Sequence, residues 1–126
     1  MLAVLPLENL NAEPGSEEFV EGLTDEIIRQ LAVIDGLGVR SRTSSFAFKG
    51  KPRDLTEVAE QLAVNLVVVG SVLRSGSRIR VDVQLVQVPG ETSLWSDRFD
   101  RELTDICAIK DDISRAIANR LRLTML

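Results

Sequence analysis

Leu66-Val67-Val68-Val69-Gly70-Ser71-Val72-Leu73, Arg78-Ile79-Arg80-Val81-Asp82-Val83-Gln84-Leu85 and Thr92-Ser93-Leu94-Trp95-Ser96-Asp97-Arg98-Phe99 follow one another in the chain. The first is a continuous apolar run, the pattern of a central strand covered on both faces. Gly70 inside it marks a bulge or a close backbone approach. In the second, Ile79, Val81, Val83 and Leu85 alternate with Arg80, Asp82 and Gln84, the period of a half-buried antiparallel strand. Ser75-Gly76-Ser77 is hairpin chemistry, and Val88-Pro89-Gly90-Glu91 puts Pro and Gly at the centre of a type II turn. Tight turns force antiparallel pairing. These residues therefore predict a three-stranded meander with Trp95 packed into its last strand.

Upstream, Leu2 to Leu7 predicts a short strand that ends or lies at an edge at Pro6, which has no donor for a ladder. Asn9 to Gly15 reads as a loop. Pro14-Gly15-Ser16 supplies a turn and an N-cap for a helix whose apolar face is Phe19, Val20, Leu23, Ile27, Leu31 and Ile34. Gly36 is its natural left-handed stop. Leu37 to Phe48 predicts a second strand with a polar tail, Arg42-Thr43-Ser44-Ser45, followed by a Gly50-Lys51-Pro52 loop. Asp54 and Glu57 form a capping box for a short helix carrying Leu55, Val58, Ala59 and Leu62, with Asn65 at its left-handed end. Downstream, Leu103, Ile106, Ile109 or Lys110, Ile113, Ile117 and Leu121 define a last helix, capped by Thr104 or Asp105. The predicted class is α/β, in the order strand-helix-strand-helix-strand-strand-strand-helix. The sheet is mixed, because a helical crossover permits right-handed parallel pairing at the front.

The 126 residues are expected to form a single α/β domain spanning 1–126, excised from a larger protein, since the chain starts in a strand-like run and stops just after a helical pattern. The apolar start ends at Glu8 without the features of a signal peptide. No stretch approaches the ~20 apolar residues of a membrane span. With no His and one Cys, histidine-based catalysis and a closed zinc site are excluded. Cys107 is expected to pack quietly beside Leu103 and Ile106. A net charge of -4 argues against non-specific nucleic-acid binding. The early cluster of Glu8, Glu13, Glu17, Glu18, Glu21, Asp25 and Glu26 suits a helix N-terminus or an acidic contact surface.

Chemistry is hard to assemble from these residues. Gly50-Lys51 runs into Pro52 and lacks the glycine spacing of a phosphate loop. A serine–lysine pair would have to be drawn from Ser44 or Ser45 and Lys49 or Lys51. Asp97 and Asp100 alternate with Arg98 and Arg101, which reads as cross-strand ion pairing. Asp111 and Asp112 read as the solvent side of a helix. No catalytic, cofactor-binding or metal-binding residues are assigned. The candidate interaction surface is Arg42, Ser44, Ser45, Lys49 and Lys51, whose cations and hydroxyls suit an anionic group or an acidic protein segment. Its alternative is architectural: Phe46 and Phe48 anchor the segment while the polar groups cap backbone.

Taken together, Ala3-Val4-Leu5-Pro6-Leu7-Glu8-Asn9-Leu10, Glu21-Gly22-Leu23-Thr24-Asp25-Glu26-Ile27-Ile28, Arg42 to Lys51, Gly70-Ser71-Val72, Leu94-Trp95 and Phe99-Asp100-Arg101 resemble the TolB amino-terminal-like domain. The resemblance runs from Leu2 to Leu121, with departures at Leu66, Val69 and Phe99. It implies an anticodon-binding-like α/β fold. It also implies a non-catalytic regulatory or interaction module of a bacterial signalling protein. In that family the module stands beside adenylate or guanylate cyclase or winged-helix domains and before tetratricopeptide repeats. Its partners would be another protein or neighbouring domains rather than nucleic acid. A membrane anchor in the parent would place it in the periplasm; the alternative is cytoplasmic. The adenylate cyclase alternative puts the catalytic domain outside this chain, and a nucleic-acid-binding role rests on fold analogy alone.

Overall fold

The computed structural model describes residues 1–11, 16–49, 54–88 and 90–125. The chain enters through β1 (Leu2–Val4) and β2 (Glu8–Asn9), two pieces of the predicted first strand. They are separated around Pro6, where the ladder loses a donor. Next come α1 (Ser16–Ala32), α2 (Arg42–Phe46) and α3 (Leu55–Leu62). The meander follows as β3 (Leu66–Ser75), β4 (Arg78–Gln87) and β5 (Thr92–Glu102), and α4 (Ile106–Met125) closes the described chain.

The sheet order is β1-β3-β4-β5, with β2 beside the far half of β3. Leu2 lies opposite Leu66 and Glu8 opposite Ser71, both parallel. β4 and β5 run antiparallel, with Val81 between Val72 and Phe99. The sheet is therefore mixed and the class is α/β, as the patterning predicts. Gly70 is a close approach rather than a bulge: a Cβ there would collide with the Asp82 carbonyl oxygen. The bulge falls instead on β5, where Trp95 faces Leu85 but Ser93 faces Val86, leaving Leu94 over.

Apolar alternation sorts the side chains into two cores. Leu66, Val68, Val72, Val81, Leu85, Trp95 and Phe99 meet α1 and α4 on one face, with Leu23, Ile27, Leu31, Ile113, Ile117 and Leu121 fully buried. On the other face Ala3, Leu5, Val67 and Val88 meet Val58 and Ala59 of α3, with Phe48 packed alongside. The part of this second face over β4 and β5 carries Arg80, Asp82, Gln84, Ser96, Arg98 and Asp100.

Several expectations need correction. The second strand shrinks to one bridge, Val39 with Leu2. Arg42–Phe46 is helical because Ser41 caps it, its side chain accepting from the Ser44 N–H. The left-handed end of α3 is Ala63, with φ 54°, not Asn65. Asn65 is used elsewhere: its side-chain oxygen accepts from the Met1 ammonium and its carbonyl from the Val88 N–H. Arg40 donates to the Leu62 carbonyl at 2.6 Å, satisfying the last turn of α3. Cys107 is exposed, not packed, because the first turn of α4 overhangs the core and leaves Ile106 47% exposed as well. Asp105 caps that helix through the N–H groups of Cys107 and Ala108. Asp54 caps α3, while Glu57 turns forward to Gln61. Gly90 has the positive φ the type II turn requires, joined by Glu91, while Pro89, Pro14-Gly15 and Gly50 to Pro52 lie outside the described residues.

Trp95 is buried against the α4 core, with the Arg120 guanidinium 5.9 Å from its ring centroid. Its indole N–H is buried and has no acceptor among the described residues. Truncation removes a large apolar surface, so Trp95→Ala should cost about 3–5 kcal/mol in a urea titration. Trp95→Phe should cost far less, because it keeps most of the packing and removes the unpaired donor.

Candidate functional site

The predicted interaction segment leaves the Val39 bridge, turns through α2 and lies against α1. Arg42 stacks 4.2 Å from the Phe46 ring centroid, and its Nε is 3.6 Å from Asp25. Lys49 Nζ sits 2.9 Å from Glu17 and also bonds Glu21. The Asn9 amide and then the Lys49 ammonium hydrogen-bond the Glu17 carboxylate and hold it below its ordinary value. Glu21 first, then Glu17, raises the Lys49 ammonium. The segment's described cations thus lie across the acidic flank of α1, within a network of exposed carboxylates.

The hydroxyls divide. The Ser41 and Ser44 hydroxyls pair at 3.3 Å. Ser45 is fully buried with an unpartnered hydroxyl, so the structure removes it from the predicted surface: α2 encloses it while Arg42 and Thr43 stay exposed. Lys51 lies outside the described residues. Phe46 and Phe48 are half-buried, and Phe48 rests on the α3 core. Lys49 is engaged by carboxylates and Ser44 by Ser41, so among the described residues the serine–lysine pairing through Lys49 is not assembled, and the Lys51 alternative lies outside them. Among the described residues no group of three or more Cys, Asp or Glu converges as a metal site. No described helix is long and apolar enough to cross a membrane.

A second surface has no counterpart in the sequence reading. The open face of the meander forms a shallow groove of about 570 Å³ between Glu8, Gly70, Ser71, Asp82, Gln84 and Arg98. Arg98 Nε reaches Asp82 across it at 2.7 Å, and further along the same face Arg80 reaches Asp100 at 3.6 Å. Both pairs are direct cross-strand neighbours, as the alternation in the sequence predicts. Asp111 bonds Arg115 one turn on, and Asp112 bonds Arg101 of β5. These carboxylates hold structure rather than sit free for acid–base work.

The α1–α2 ion pairs are solvent-exposed, so each is weak. Replacing both cations, Arg42→Ala with Lys49→Ala, should lower stability by about 1 kcal/mol or less at neutral pH and leave unfolding cooperative. The depressed Glu17 contributes only above the unfolded carboxylate range and loses its contribution as the pH falls through its lowered folded value. The raised Lys49 contributes below the unfolded ammonium range and fades as the pH climbs through its raised value. The stability gap between the double variant and the parent chain, read by denaturant titration, should therefore close at acidic pH.

Comparison with known proteins agrees with this geometry. The chain is 41% identical over 124 residues to "Putative adenylate cyclase 3" of Rhizobium meliloti (strain 1021), which it matches across 98% of its own length and 21% of that protein's. It therefore spans about a fifth of the curated relative. Its fold is similar to that of TolB from Acinetobacter baumannii, with TM-score 0.66 at 14% identity, covering 98% of this chain and 27% of that one. It is equally similar to lipoprotein GNA1162 from Neisseria meningitidis, with TM-score 0.66 at 14% identity, over 96% and 95% of the two chains. Such identities speak for a shared TolB-like fold. Residues 1–117 match a family in sequence as well, and on that match the chain belongs to the second domain of HilA/YgeH-like transcriptional regulators.

Proposed function

We propose that this chain is a non-catalytic regulatory and interaction module of a bacterial signalling protein. The observation that carries the reading is the company the module keeps. Its family is a second domain of transcriptional regulators, while its 41% identical relative is named a cyclase of which it spans only a fifth. One fold shared by two kinds of output protein serves what they have in common, the reception or relay of a signal. The carboxylates of Glu17, Glu21, Asp25, Asp82, Asp100, Asp111 and Asp112 are engaged in ion pairs, which supports a surface rather than a reaction centre. A second reading is that the parent is an adenylate cyclase whose output this module modulates, its catalytic domain lying outside the chain. The net charge of -4 favours protein partners or neighbouring domains over nucleic acid.

The candidate contact surface is the α1–α2 flank, with Arg42, Ser44 and Lys49 at its rim and Glu17, Glu21 and Asp25 at its centre. Its ion pairs are exposed and exchangeable, so a partner's charges compete with them at low cost. For location we favour the periplasmic side of a membrane-anchored parent, by analogy with the lipoprotein of the same fold; the alternative is the cytoplasm.

The purified chain should form no cyclic nucleotide from ATP or GTP with magnesium or manganese. Cyclic AMP production by the chain alone would overturn the non-catalytic reading. In the parent protein, Arg42→Ala with Lys49→Ala should alter output while leaving the module folded; unchanged output would remove the α1–α2 flank as the contact. Cys107 is exposed, which makes location measurable. A membrane-impermeant maleimide should label the parent in intact cells, and Cys107→Ser should abolish that labelling. Labelling only after lysis would place the module in the cytoplasm.

A further inference from the structure

The two edges of the sheet differ. The outer side of β1 is closed: the Leu2 N–H donates to the Gly38 carbonyl at 2.7 Å, and the Arg40 N–H donates to the Leu2 carbonyl at 2.9 Å. At the opposite end β5 pairs only with β4, and its other side has no strand beside it among the described residues. It is 11 residues long, the length of edge that accepts a further strand. Its second half reads Asp97-Arg98-Phe99-Asp100-Arg101, in which Phe99 is buried and Asp97, Arg98 and Asp100 are exposed.

We propose that β5 is a dimerisation edge, on which a second copy of this chain lays its own β5 antiparallel about a two-fold axis at Phe99. In that register Asp97 faces Arg101 of the second copy, Arg98 faces its Asp100, and Phe99 faces Phe99. Every charge of the segment meets its opposite. A one-residue slip sets Asp97 against Asp100 in one direction and Arg98 against Arg101 in the other. A two-residue slip centres the pair on Arg98 against Arg98 or Asp100 against Asp100. Parallel in-register pairing opposes every charge to itself. Like charges directly across a strand pair are destabilising and unlike ones stabilising, so this pattern selects one register.

The ladder already present in the chain continues into the second copy. Asp82 pairs with Arg98 and Arg80 with Asp100 inside one chain. Extended across the axis, each row alternates in sign over four strands. On the other face Asp97 is exposed, lies opposite Val83 and has no ion pair among the described residues. Arg101 of the second copy, whose Nε already holds Asp112 of its own α4 at 2.7 Å, supplies one by sharing its guanidinium between the two carboxylates. The Leu94 bulge bends β5 before Trp95 and limits the new pairing to the charged half. Charged residues on an edge normally repel stray strands; here they repel every strand but one with the complementary order.

The test is sedimentation velocity on the chain at rising concentration, under reductant so that exposed Cys107 cannot cross-link copies. A reversible monomer–dimer equilibrium is expected. Asp97→Arg sets like charges against Arg101, and Arg101→Asp sets like charges against Asp97, so each variant alone should dimerise about tenfold more weakly or worse. An equimolar mixture of the two should regain the dimer, because every reversed charge then meets its opposite. Circular dichroism establishes that each variant is folded. If either is not, the neutral pair Asp97→Asn and Arg101→Gln replaces them, with a smaller loss expected from each. A chain that stays monomeric to about 1 mM, a dimer indifferent to these substitutions, or a mixture that fails to reassociate would each overturn the proposal.

Discussion

β3 must be covered on every side, and the rest of the molecule follows from that. Its first half carries Leu66 and Val68 toward one core and Val67 toward the other, so both faces need helices. Its edges need strands, and they come from both ends of the sequence: β1 and β2 in parallel, β4 antiparallel. Parallel pairing requires a crossover, which α1 to α3 provide. Burial at about 25 cal/mol per Å² rewards each of these placements in proportion to the apolar area they cover. Beyond Gly70 one face of β3 is open, and there it carries Ser71, Leu73 and Ser75.

Polar groups hold the joints of this arrangement. The first strand breaks at Pro6, and the next N–H, that of Leu7, donates to Thr24 in the middle of α1. The Thr24 hydroxyl in turn donates to the Val20 carbonyl one turn back. A buried hydroxyl thus satisfies a buried amide that no strand can reach, and its cost is offset because both of its bonds are made. Arg40 does similar work at the β1 edge, tying the chain between the bridge and α2 to the end of α3. Asn65 links the first residue to the turn after β4. Each of these residues lies between elements, where helix and strand ladders cannot supply a partner.

The meander was legible because period-two alternation and Gly-containing turns are local signals, and β4 reproduces them residue for residue. The helices α1 and α4 were legible from their apolar stripes. The segment from Leu37 to Phe48 misled because its apolar ends look like a strand, while a serine cap at Ser41 decides the five residues between them. Placing Ala63 rather than Asn65 in the left-handed position is a tertiary choice, made by the groups that Asn65 must bond. Cys107 sits on the predicted face but beyond the reach of the sheet, a matter of where a helix begins relative to its core. Of the candidate site, Arg42, Ser44 and Lys49 are exposed or half-buried as a surface needs, whereas Ser45 is fully enclosed. Nothing in a run of Arg-Thr-Ser-Ser tells which hydroxyl points inward, since a one-turn helix has too few residues to show a period.

Charge order matters more in this protein than charge amount. Arg42, Lys49, Arg80, Arg98, Arg101 and Arg115 each face a carboxylate within the chain. Screening at physiological salt shortens the reach of the remaining field to about 8 Å. Recognition by such a surface has to come from contact, where the sequence of signs along an element is compared with that of its partner. α1 and β5 carry such sequences: a row of carboxylates spaced by helical turns, and two Asp-Arg pairs, one on either side of Phe99, along an edge strand. The first suits a partner able to exchange places with Arg42 and Lys49. The second suits a strand bearing the same order in reverse, which this chain itself supplies.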